Sequence, residues 1–141
     1  MKTAYRVWNG EQMFYWGDVN LSLFIRGMEW TLYKDNAASL CADIVAANID
    51  GKSVLLDGTD QFQTYGRQKR IYAGDIVQQE ETAPGGLYDP QPFIGEVKMI
   101  DGSWCIVNEK KEECRPLFSE TATNKVIGDV YQNPELLEEA K

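Results

Sequence analysis

The sequence predicts a predominantly β, α+β domain: an N-terminal sheet with an inserted helix, further strands in the second half and a short C-terminal helix. Three observations predict it. Short β-favouring, aromatic-rich segments are punctuated by turn dipeptides such as Asn9-Gly10 and Asp101-Gly102. One stretch, residues 37–48, has helical spacing instead. Near the end, Asn133-Pro134 has the composition of a helix start. Sheet first and last, with helices inserted between, departs from the alternation that parallel βαβ units need.

Taken in order, YRVWNGEQMFYW reads as two strands joined at Asn9-Gly10, because Asn-Gly adopts the positive φ of tight hairpin turns. LSLFI (21–25) and MEWTLY (28–33) follow as half-buried strands on either side of Arg26-Gly27. Asp35 or Asn36 then supplies an N-cap. Ala37, Leu40, Cys41, Ile44, Val45 and Asn48 recur at the spacing that lays one apolar stripe along a helix, which stops at Asp50-Gly51. SVLL (53–56) restarts an extended segment, and a further strand runs to Tyr65.

A polar turn at Gly66 to Lys69 leads to a strand beginning at Asp75. Residues 80–92 hold three prolines and a Gly-Gly pair, and read as the longest and most mobile loop. FIGEVKMI and SWCIV form a hairpin about Asp101-Gly102, and RPLF adds an edge strand that tolerates Pro116. KVIGDVY (125–131) is the last strand. Asn133 caps, and Pro134 opens, a helix through Leu136 and Leu137.

A chain of 141 residues with 43% hydrophobic content can bury a core as one domain, residues 1–141, with a possible subdivision at 1–60 and 61–141. No apolar run reaches the roughly 18 residues of a membrane helix, and MKTAYRVWNG is not a signal peptide, so the expectation is a cytoplasmic protein. Cys41, Cys105 and Cys114 read as free thiols that serve as small core or surface hydrophobes. A net charge of −8 works against long-range attraction to a phosphate backbone.

Three segments carry a family likeness: the opening YRVWNGEQMFYW, the central QTYGRQKRIYAGDIV and the closing VIGDVYQNPELLE. Together, and in this order, they resemble the YopX family of bacteriophage and prophage proteins. The resemblance implies a β-rich α+β fold whose GDIV half is a small SH3-like barrel, encoded by a phage or prophage in a bacterial host, and it implies no reaction. The matched residues also have a direct physical reading. Gly74-Asp75 turns the chain into IVQQ while Asp75 bonds a nearby amide; Gly128 permits a close approach; Asn133-Pro134-Glu135 starts a helix.

The absence of histidine removes the usual triads, imidazole metal sites and the side chain best suited to proton transfer near neutral pH. Cys105 and Cys114 are too widely spaced for a structural zinc pair, so neither metal nor cofactor is expected. AANIDGKS imitates the end of a P-loop, but Ala46 replaces its first glycine and the expected order is helix before strand, the reverse of a phosphate cradle. Asp57 and Asp60 in VLLDGTDQ read as a turn.

The basic and aromatic cluster Tyr65, Arg67, Lys69, Arg70 and Tyr72 is the candidate binding site, able to hold a phosphate chain and stack bases. Its plain alternative is a solvated turn. Four Trp and seven Tyr exceed what the helices need and suit interface anchors. The leading expectation is therefore a non-enzymatic accessory protein working by protein contact or self-association. The alternative is a nucleic-acid-binding regulator using the Arg67 to Arg70 turn.

Overall fold

The computed structural model describes residues 4–36, 38, 41–82 and 91–139. The chain divides into two compact units, Met1–Asp57 and Gly58–Lys141.

In the first unit, β1 (Tyr5–Trp8) and β2 (Met13–Tyr15) form the expected hairpin. Its loop is four residues long and is organised by a side chain. Asn9 Oδ1 accepts the amides of Glu11 (2.9 Å) and Gln12 (2.8 Å), while Asn9 Nδ2 donates to the Val45 carbonyl at 3.1 Å. β3 (Leu21–Arg26) and β4 (Glu29–Asp35) turn through Gly27-Met28, with Gly27 at φ 63°, where a two-residue hairpin accepts glycine at its first position. The core of this unit gathers Val7, Phe14, Leu32 and Ala46.

The helix expected over 37–48 does not form across its described part. Ala42–Ala47 is a strand, β5, paired antiparallel to β4 in a sheet of order β3-β4-β5; residues 37, 39 and 40 lie outside the described residues. β4 needs a partner on its far side, and backbone pairing along ADIVAA supplies one. Cys41 and Ile44, which the helical stripe would bury, are exposed. Asn36 closes the β4–β5 connection, with Oδ1 accepting the Ala38 amide and Nδ2 donating to Asp43.

β6 (Val54–Phe62) starts in the first unit, where Val54–Asp57 pairs with β1. Asp57-Gly58-Thr59-Asp60 is therefore strand and not the expected turn. Within the second unit, Gly58 and Phe62 of β6 pair with β7 (Arg70–Tyr72) across an irregular register. Thr59 takes up that irregularity: its buried hydroxyl donates to the Ile71 carbonyl at 2.7 Å and accepts the Gln61 amide at 3.0 Å.

The rest of the second unit is a five-stranded antiparallel sheet of order β11-β10-β9-β8-β12. Its strands are β8 (Asp75–Glu81), β9 (Phe93–Ile100), β10 (Ser103–Asn108), β11 (Glu113–Pro116) and β12 (Ala122–Asp129). The expected 80–92 loop starts later, because Glu80 and Glu81 belong to β8, and β9 begins at Phe93 as expected; residues 83–90 lie outside the described residues. A short helix α1 (Glu135–Glu139) closes the described chain.

Buried amide side chains bind the two edges of this sheet together. Gln79 Nε2 donates to the Pro116 carbonyl (3.1 Å) and to Asn124 Oδ1 (3.0 Å), and Asn124 Nδ2 donates to the Leu117 carbonyl (2.8 Å). The end of β11 is thus tied to β8 and β12, and the sheet curls into a half-barrel. Ile71, Val77, Phe93, Val97, Ile106 and Leu117 form its core, each stabilising the fold by roughly 1.5–3 kcal/mol through burial.

Candidate functional site

The basic turn does not present all five of its candidate residues to solvent. Tyr72 is 5% exposed, and its backbone N–H donates to Asp75 Oδ2 at 2.8 Å. It belongs to the core, not to a stacking surface. Arg70 is half-buried: Nη1 donates to the Thr59 carbonyl at 2.7 Å, and the guanidinium lies 4.8 Å over the Phe62 ring. That side chain braces β6 against β7.

Tyr65 (74% exposed), Arg67 and Lys69 remain on the surface. The turn that carries them is clamped from below. Gln63 binds the Lys69 carbonyl through its backbone N–H (2.9 Å) and the Arg67 carbonyl through Nε2 (2.8 Å). Thr64 exchanges two bonds of 2.9 Å with the backbone of Asn124, covering the outer edge of β12. Tyr65 borders a shallow groove of about 390 Å³ whose walls include Gln78, Glu80, Thr123 and Lys125.

The motif residues of the central and closing blocks are engaged in bending the backbone. Gly74 has φ 88°, a left-handed conformation in the turn that Asp75 closes. Asp75 and Asp129 are both buried and stand directly opposite each other across β8 and β12. Asp129 Oδ1 accepts the amides of Tyr131 (3.0 Å) and Gln132 (2.8 Å), and its Oδ2 accepts from Gln132 Nε2 (2.7 Å). Asn133 does not cap α1 with its side chain as expected. Its Oδ1 instead accepts the Asp129 amide at 3.2 Å, while its carbonyl accepts the Leu136 amide.

The P-loop imitation is occupied from within. Ala47 ends β5, Asn48–Asp50 is a single 3-10 turn, and the Asp50 carboxylate accepts the amides of Lys52 (2.9 Å) and Ser53 (2.7 Å) and the Ser53 hydroxyl. Those amides are the ones a phosphate would need. The Ser53 hydroxyl and the backbone donors hold the Asp50 carboxyl down to about 2.

Sequence reasoning missed the outer face of the three-stranded sheet. Phe24 and Ile44 are each 63% exposed and flank Tyr33, whose ring meets that of Phe24 edge-on at 5.4 Å and 88°. Ser22, Asp35 and Ala42 join Phe24 and Tyr33 around a shallow depression of about 410 Å³. A signal existed in the alternation of LSLFI. Leu21 and Leu23 point to the core while Phe24 falls on the opposite face, where nothing apolar was assigned to meet it.

Fold and surface together define a small, β-rich protein of two compact units whose diagnostic residues bend the backbone and which exposes Phe24 and Ile44 on one sheet face. The chain belongs to the YopX family: the family model for YopX protein matches residues 4–138. It is 36% identical over 150 residues to the SPbeta prophage-derived uncharacterized protein YopX of Bacillus subtilis strain 168, covering the whole of both chains. The crystal structure of yopX from Bacillus subtilis superposes with a TM-score of 0.74 over 96% of this chain and 98% of that one. A crystal structure from Enterococcus faecalis, 16% identical, shares the fold with a TM-score of 0.51 over 97% and 99% of the two chains.

Proposed function

We propose that the protein works without catalysis, as a phage or prophage accessory protein in the cytoplasm of a bacterial host. It acts through protein contacts made by the outer face of β3, β4 and β5. The observation that carries this reading is the pair of exposed residues Phe24 and Ile44 about the half-buried Tyr33, on a face with no second layer among the described residues. Aromatic and branched apolar groups held on a rigid sheet lose little conformational freedom on binding and dominate contact energies. The reading calls for no cofactor and no metal. It also treats the curled C-terminal sheet as SH3-like, a framework on which many functions are grafted.

Light scattering on a sizing column and affinity capture from host lysate test it. Wild type retains a specific protein, or packs this face against a second copy, and Ile44→Asp, which charges the face on β5 without touching the core, abolishes that face-dependent contact. A wild-type protein that neither self-associates nor retains a partner overturns the reading.

A second reading, a nucleic-acid-binding regulator, draws on Tyr65 at the groove with Arg67 and Lys69 on the same turn. It is the weaker of the two, because Arg70 and Tyr72 are spent on the fold and Glu80 lines the same groove. A gel shift that weakens steeply with salt and is lost in Arg67→Ala and Lys69→Ala supports it.

A further inference from the structure

We propose that β3 is a self-pairing edge, along which two copies of the chain join antiparallel about a dyad at Leu23; the proposal rests on the protein-contact reading above and names its partner as a second copy.

β3 is the outer strand of the sheet β3-β4-β5. Arg26 and Glu29 close a two-residue turn and so form a hydrogen-bonded pair. By alternation, Ser22, Phe24 and Arg26 bond to β4, whereas Leu21, Leu23 and Ile25 direct their N–H and C=O groups outward. Among the described residues the edge has none of the usual guards. It contains no proline, it pairs with β4 through six residues without a bulge, and its only charge is at its end, Arg26. The other edge of the sheet is guarded: the β4–β5 register breaks between Leu32 and Tyr33, and β5 carries Asp43.

The sequence of β3 is complementary to itself in one register. With Leu23 facing Leu23 of the second copy, Leu21 faces Ile25 at both ends, and all three outward residues of each strand bond. On the exposed face, Phe24 lies beside the small Ser22 of the second copy, so large meets small. Charge supports the same occupant. Two molecules of net charge −8 repel wherever acidic surfaces meet, but this strand brings no carboxylate to the junction, and each Arg26 brings a cation to a strongly acidic partner. The product is a closed, isologous dimer with a continuous six-stranded sheet.

The test is light scattering of the full chain across a concentration series, with amide exchange read residue by residue. Wild type gives a mass twice the 16.0 kDa of one chain at high concentration. The amides of Leu21, Leu23 and Ile25 exchange slowly there and quickly on dilution, while those of Phe24 and Arg26 stay protected throughout. Ile25→Pro removes an outward donor at an exposed position where an edge strand tolerates proline, and Ser22→Lys puts a long, charged side chain where the small Ser22 admits Phe24 of the second copy. Each raises the dissociation constant at least tenfold, and Ser22→Lys keeps the wild-type unfolding midpoint. A monomer at every concentration overturns the proposal, as does a dimer whose three outward amides exchange freely or one that both variants leave intact. A monomer that still captures a host protein in an Ile44-dependent way ends self-pairing and leaves the contact reading standing.

Discussion

Oδ1 of Asn133 lies 2.6 Å from where a Cβ on Gly128 would stand, with the Leu136 Cδ1 at 2.8 Å from the same point. The closing motif is therefore one packed unit in which Asn133 folds back over Gly128 and holds the Asp129 amide. Gly128→Ala should lower stability by about 1–3 kcal/mol by displacing that side chain. In a double-mutant cycle read by urea unfolding, Asn133→Ala should remove part of the clash, so the two costs fall short of additivity.

Gly95 makes a harsher version of the same contact. A Cβ there would stand 2.6 Å from the Val107 carbonyl oxygen and 2.8 Å from its carbon, and backbone cannot swing aside as a side chain can. Gly95→Ala should cost more than Gly128→Ala in the same urea series, with about 3 kcal/mol expected.

The basic turn separates bracing from solvation. Arg70→Ala loses a charged hydrogen bond to the Thr59 carbonyl and the contact with Phe62, and should destabilise by roughly 1.5–3 kcal/mol. Arg67→Ala and Lys69→Ala, both exposed, should stay within about 0.5 kcal/mol of wild type by the same unfolding measurement.

Asp50 gives a pH dependence of known sign. Its folded carboxyl is held at about 2, below the ordinary 3.8, by the Ser53 hydroxyl and then the backbone donors. Its stabilising contribution is present above pH 4 and lost as pH falls from about 4 through about 2. Asp50→Asn should flatten that part of an acid-unfolding curve relative to wild type and leave the rest of the curve in place.

How much of this was legible follows from where the information lies. The hairpins at Asn9-Gly10 and Asp101-Gly102, and the turn closed by Asp75, are local, because turn chemistry within four residues specifies them. The strand Ala42–Ala47 is not local. Its apolar spacing fits a helix, and only the free edge of β4, contributed by residues earlier in the chain, makes it extended. The stretch at Asp57 to Asp60 misled in the same way, since turn-like residues are carried through a strand by the Thr59 hydroxyl bonded to Ile71, twelve positions away. Of the candidate cluster, sequence located the turn but could not tell that Arg70 and Tyr72 face inward. A three-residue strand, β7, fixes which of them point where. The Phe24, Tyr33 and Ile44 face was hidden by the helical reading of residue 44.

Equilibrium urea unfolding of Asp129→Ala, beside the exposed Lys125→Ala in the same strand, tests most directly the claim that the motif residues serve the backbone. Losing the acceptor for the Tyr131 and Gln132 amides should lower stability by about 2–3 kcal/mol, with Asp129→Asn recovering part of it and Lys125→Ala indistinguishable from wild type. An Asp129→Ala protein as stable as wild type would contradict the account, because the residue would then be held in the family pattern for something other than shape.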